Sequence, residues 1–228
     1  RDSYSSDTDT ASPKGPLTGG TRYNTATGNA NFGYVSDGHP IPKTLIYRID
    51  YSNDTETAVA KGPLAAGATY RGATSSSDFG YFSGGQNPSS AVRSEISRID
   101  YSNDTATAAL KGNLSIAKNK HAGTSSRSHG LPIPQPTIAA PVQPPFPFPV
   151  QLYNPATNQG YGYAAGGPTT PGGSSNTTIV QRIEYANDTA TAAVKGPLSL
   201  DRKNHSASGN INYGCLLYTS PSPRDLLK

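Results

Sequence analysis

The sequence has no methionine, no tryptophan and a single cysteine in 228 residues. One cysteine excludes an intramolecular disulfide framework and a cysteine-rich zinc site. No run approaches 18 apolar residues, which excludes a membrane-spanning helix. The N-terminus has no charged-then-apolar leader. With no methionine even at position 1, the chain reads as an internal piece of a longer protein. Large aliphatic and Phe side chains are scarce. Leu, Ile, Val and Phe make 36 of the 228 residues, about 16%, below the ~20% at which disorder becomes a candidate. Disorder also needs a strong net charge, and the formal charge is only +4. Gly (24) and Pro (20) make the chain turn-rich without making it low-complexity.

What the sequence does contain is a repeat. Arg48-Ile49-Asp50-Tyr51-Ser52-Asn53-Asp54-Thr55 returns as Arg98-Ile99-Asp100-Tyr101-Ser102-Asn103-Asp104-Thr105. It returns again as Arg182-Ile183-Glu184-Tyr185-Ala186-Asn187-Asp188-Thr189, and a degraded copy opens the chain at Arg1. Each copy runs on into Thr-Ala and then a Lys-Gly pair at Lys14, Lys61, Lys111 or Lys195. A second element reads Phe32-Gly33-Tyr34, Phe79-Gly80-Tyr81 and Tyr161-Gly162-Tyr163. Twice it ends in a glycine pair, Gly84-Gly85 and Gly166-Gly167. Starts at 1, 48, 98 and 182 give steps of 47, 50 and 84. The first two match one propeller blade of roughly 40–50 residues. The third carries extra residues, visible as a Pro-rich stretch at 131–158. The repeat divides the chain into blades at 1–47, 48–97, 98–181 and 182–214, with a non-native tail at 215–228.

Each period reads as short strands. Leu45 to Tyr51 is β-branched and aromatic, and Ile49 and Tyr51 alternate with Arg48 and Asp50. Ser52-Asn53-Asp54 is a turn, since Asn and Asp side chains bond their own backbone two residues on. Lys61-Gly62-Pro63 stops the returning strand, because Pro cannot donate to a ladder. Gly28-Asn29 signals a hairpin before Phe32. The expectation is an all-β chain with about four strands per period, its blades burying their faces on one another so that small residues suffice. A β-solenoid or a chain of small sandwiches is the alternative.

Four strands per period with a closing Gly-Gly resembles the kelch-type β-propeller. Tyr81-Phe82-Ser83-Gly84-Gly85 followed by Tyr101 fits that family's order. The usual Trp is missing, and Asp37-Gly38 stands for Gly-Gly in the first blade. The repeat-defining positions are Arg48, Asp50, Tyr51, Asn53, Asp54, Gly84, Gly85, Arg98, Asp100, Tyr101, Gly166, Gly167, Arg182, Glu184 and Tyr185. The phrase also resembles repeats of structural and tail-appendage proteins of aquatic phages. From Cys215 the repeat's aromatic-then-glycine continuation is replaced by a segment that resembles a translated sequencing adapter, so Cys215 is given no role.

Other candidates weigh less. Asn-x-Ser/Thr at Asn53, Asn103, Asn113, Asn176, Asn187 and Asn204 could carry glycans in a secreted chain, but turn chemistry already explains the three phrase copies. His39, His121, His129 and His205 are not clustered as metal ligands require. Arg48 and Asp50, two apart on one strand face, suggest a salt-bridge ladder between blades. The Lys-Gly lysines could form a basic ring, but +4 is too small for a strong nucleic-acid footprint. No catalytic, cofactor-binding or metal-ligating residue is expected, and no cofactor. The function expected is a non-enzymatic structural or adhesion module, in a virion or extracellular, whose partner is a protein or a surface glycan, without membrane or nucleic acid. A galactose-oxidase-type kelch enzyme with its site elsewhere, or an intracellular kelch adaptor, is the rival.

Overall fold

The computed structural model describes residues 10–19, 22–38, 44–126, 160–171, 175–209 and 214–217. The opening copy of the phrase, the Pro-rich stretch, His39, His129 and the tail from residue 218 lie outside the described residues. The first unit is a meander of β1 (Thr25–Gly28), β2 (Phe32–Ser36), β3 (Ile46–Asp50) and β4 (Val59–Lys61). The second is β5 (Gly72–Ser75), β6 (Phe79–Ser83), β7 (Glu95–Asp100) and β8 (Ala109–Asn113). The third is β9 (Ala122–Ser125), β10 (Tyr161–Ala165), β11 (Val180–Glu184) and β12 (Ala193–Lys195). A hairpin of β13 (Ser206–Gly209) and β14 (Gly214–Leu217) follows.

Strands in each four-stranded sheet pair antiparallel in chain order. Counted by sheets, the repeated phrase is the third strand plus the turn after it, and the lysine of Lys-Gly ends the fourth strand in β4 and β12 and lies within it in β8. The Pro-rich stretch falls between β9 and β10, yet these strands keep the pairing of the uninterrupted hairpins, Gly162 opposite Ser125 and Ala165 opposite Ala122. β14 uses Cys215 and Leu216, the first residues of the tail, as partners for Ser208 and Ala207. No helix among the described residues is long and apolar enough to cross a membrane.

The first strands lie beside one another, β1 against β5, β5 against β9 and β9 against β13. The approach explains the small residues: a Cβ on Gly123 of β9 would meet the Ala73 carbonyl oxygen of β5 at 2.2 Å. This is a β-propeller-like stack, in which the hydrophobic faces of the first and second units are each covered by the next. Tyr34, Ile46, Leu64 and Phe82 belong to one buried cluster, and Tyr81, Ile96, Leu114 and Ile183 to another. The glycine pairs turn the chain out of β6 and β10 in the left-handed region, φ 58° and 100° at Gly84 and Gly85, 64° and 85° at Gly166 and Gly167. Side-chain-bearing residues rarely adopt that conformation.

A clamp repeats at each unit boundary. Asp104, in the turn after β7, accepts from Tyr34 Oη at 3.0 Å and Arg48 Nη1 at 2.8 Å, and pairs with Lys61 Nζ at 3.1 Å. Asp188, in the turn after β11, takes the same contacts from Tyr81 (3.2 Å), Arg98 (2.7 Å) and Lys111 (3.4 Å). Lys14 pairs with Asp54 at 3.2 Å. The expected ladder between blades therefore exists, but its acid is not Asp50. Asp50 and Asp100 accept from their own turns, the Ser52 and Ser102 amides at 2.8 and 2.9 Å. Glu184, one methylene longer and facing Ala186, makes no such side-chain cap. The main chain docks in register too. The amides of Gly15, Gly62 and Gly112 donate to the carbonyls of Asp54, Asp104 and Asp188 at 2.7–2.8 Å.

Candidate functional site

Just before each first strand, the chain carries one residue with a positive φ that is not glycine: Tyr23 (59°), Tyr70 (58°), Lys120 (48°) and Asn204 (53°). Their separations of 47, 50 and 84 are those of the repeat. Such a conformation costs on the order of 1–3 kcal/mol per residue unless the surroundings impose it. Here neighbouring units impose it. The Lys120 amide donates to the Tyr70 carbonyl at 2.9 Å, and the Asn204 amide to the Lys120 carbonyl at 3.0 Å. Main-chain bonds thus link Tyr70, Lys120 and Asn204 into a rim, one residue from each unit, which Tyr23 extends by packing on Tyr70.

The rim borders an open cavity of about 340 Å³. Tyr23 and Tyr70 bring their rings to 4.4 Å between centroids, tilted at 41°. Lys120 Nζ lies 4.8 Å from the centre of the Tyr70 ring, and the Arg22 guanidinium 5.3 Å from that of Tyr23. Burial, and then a hydrogen bond with Tyr23, raises the Tyr70 hydroxyl above its ordinary value. Burial and the paired hydroxyl keep the Tyr70 phenol protonated at neutral pH, able to stack and to donate, against the opposing pull of the Arg22 charge.

Beneath the rim, the next residue of each unit closes the cavity floor, Arg71, His121 and His205 among them. Arg71 is buried and donates to the Ala66 and Ala68 carbonyls; burial lowers it to about 10. His121 is buried with Nε2 3.1 Å from Ser83 Oγ, and burial, with the Lys118 charge, pushes it down to about 3. Lys118 is fully buried, donates to the Ile179 carbonyl at 3.0 Å, and is lowered to about 8 by burial. Burial lowers both histidines, so the floor they line is uncharged there at neutral pH.

The sequence-predicted residues lie away from this cavity. Arg48, Arg98 and Asp54 stand at unit boundaries, where the lysines expected as a basic ring (Lys14, Lys61, Lys111) are also engaged. Asn53 Oδ1 accepts from Thr55 Oγ1 at 3.3 Å, which is turn chemistry. Tyr101 and Tyr185 stack on Tyr34 and Tyr81 of the preceding unit at 4.9 and 4.8 Å, whereas Tyr51 is exposed. Arg182 lies over the Tyr161 ring at 4.2 Å. Tyr23, Tyr70 and Lys120 were not singled out by the sequence, and Asn204 only as the Asn of an Asn-x-Ser glycan acceptor. Their signal was available: one residue upstream of the column Asn24, Arg71, His121, His205, they read Tyr, Tyr, Lys and Asn while the clamp residues do not change. Compared with protein-family models and with curated proteins, the chain matches none.

Proposed function

We propose that this chain is a non-enzymatic, kelch-like binding module of a virion appendage or another extracellular assembly, and that it recognises a surface glycan in the rim cavity. One observation carries the reading. In a chain whose structural positions repeat, the strained rim position is Tyr, Tyr, Lys and Asn in turn. A purely structural position would tend to settle on one residue that tolerates a positive φ, most easily glycine. Backbone strain held by its surroundings is a pointer to function. Two tyrosine faces with a lysine and an amide suit a sugar ring, which offers C–H faces for stacking and hydroxyls for hydrogen bonding. Many copies of the module on one assembly would convert weak single-site binding into avidity.

A glycan array probed with multivalent chain tests this. Binding to a defined set of glycans is expected, and Tyr23→Ala with Tyr70→Ala should abolish it while the thermal midpoint stays close to wild type. Absence of binding at high valency, or binding that survives the double substitution, would refute the reading.

A further inference from the structure

The clamp recurs at each boundary, which makes the outer side of the third unit informative. Tyr163, Arg182, Lys195 and Gly196 hold the positions of Tyr81, Arg98, Lys111 and Gly112. Among the described residues, no aspartate faces them. A Cβ on Gly112 would meet the Ala190 carbonyl oxygen at 1.9 Å, and on Gly62 that of Ala106 at 2.0 Å; on Gly196 it meets nothing within 4 Å. Arg182 Nε is buried without a hydrogen-bond partner. The Lys61 and Lys111 side chains are 14% and 16% exposed, whereas Lys195 is an exposed residue.

We propose that this face, made by β10, β11 and β12, is a docking surface for the aspartate turn of a fourth repeat unit, a segment of sequence Arg-Ile-Asp-Tyr-Ser-Asn-Asp-Thr-Ala-Thr-Ala. Charge and main chain both specify the occupant. Two cations and a phenol hold the positions whose counterparts converge on one carboxylate at the other boundaries. The Gly196 amide is placed to donate to the carbonyl of the incoming aspartate, as Gly62 and Gly112 donate to Asp104 and Asp188. The Pro197 carbonyl is placed to accept from the alanine four residues on, as Pro63 accepts from Ala108 at 2.8 Å. The first strand of that fourth unit, β13, already lies against β9.

A synthetic peptide copying residues 95–113, added to the intact chain, tests the proposal by titration calorimetry and thermal shift. The peptide should bind and raise the midpoint. A peptide with Asp104→Asn, or the chain with Arg182→Gln, should bind about tenfold more weakly or worse, the factor that corresponds to about 1.4 kcal/mol. No binding at millimolar peptide, or equal binding by the Asp and Asn peptides, would overturn it. Self-association of the chain alone that the peptide competes away would place a second copy on this face and overturn the assignment to a fourth unit.

Discussion

Asp104→Asn removes one charge from a site where three donors converge, while keeping the shape of the side chain. The Asp104 carboxylate is 9% exposed, and its partners Arg48 and Lys61 are 27% and 14% exposed. Removing one partner of a buried ion pair costs about 3–5 kcal/mol. Both cations here recover part of their hydration, which places the expected loss at about 2–3 kcal/mol, a large share of the 5–15 kcal/mol typical of a folded domain. Urea unfolding followed by tyrosine fluorescence measures it. A cycle with Arg48→Gln should give a coupling of about 1–2 kcal/mol, and Glu184→Gln, at an exposed position without a cap, a change within about 0.5 kcal/mol. Acid supplies a second reading. Burial alone would raise the Asp104 carboxyl, but hydrogen bonds from Lys61, Tyr34 and Arg48 outweigh it and hold it below its ordinary 3.8. The folded state therefore takes up this proton less readily than the unfolded chain. The contribution is present above about pH 4 and is lost as pH falls through the depressed folded value. The gap between wild type and Asp104→Asn should close over that range. A variant that unfolds within 0.5 kcal/mol of wild type, with no coupling to Arg48, would refute the clamp.

Two further perturbations act elsewhere. Gly85→Ala forces a side chain onto φ 100° and a Cβ to 2.6 Å from the Thr69 carbonyl oxygen, and should cost about 2–4 kcal/mol in urea unfolding, whereas Gly19→Ala, with nothing within 4 Å, should be near neutral; equal effects would contradict the geometry. Lys118, lowered from 10.5 to about 8 by burial, is charged in the folded state only at a cost, so stability should rise between pH 8 and 10. Lys118→Met should flatten that rise in thermal scans across this window, and parallel curves for the two proteins would exclude Lys118 as its source.

The strands were legible because their signal is local. β3 and β7 carry alternating apolar and polar residues, and the Asn-Asp-Thr turn that follows carries its own hydrogen-bonding chemistry. The repeat then made the four-stranded unit visible, since one period had to accommodate one sheet. The partner of Arg48 was not legible. Asp50 lies two residues away on the same strand face, and Asp104 lies 56 positions along the chain. Only the register of one unit against the next decides between them, and that register comes from main-chain bonds such as Gly62 to Asp104. The rim was hidden for a related reason. A positive φ at Tyr70 has no sequence signature of its own, because the hydrogen bond that accompanies it comes from the amide of Lys120 in another unit.

Comparison of the three phrase copies separates what the stack requires from what it tolerates. Asp50 with Ser52, and Asp100 with Ser102, share a cap; Glu184 with Ala186 has lost both halves of it, and the turn at Tyr185–Asn187 still forms. The cap, worth about 1 kcal/mol where present, is therefore dispensable. Asp54, Asp104 and Asp188 do not vary, nor do Arg48, Arg98 and Arg182, nor the Lys-Gly pairs. The difference is one of reach. A cap stabilises a turn within its own unit, where the paired strands already hold the chain, whereas the aspartate is the point at which one unit fixes the position of the next. Because the clamp sets that position at the outer end of each sheet, the first strands meet in a defined register at the other. The rim residues then face one another whatever their side chains are. A rigid, repeated boundary thus leaves the rim free to change from Tyr23 and Tyr70 to Lys120 and Asn204 without disturbing the stack.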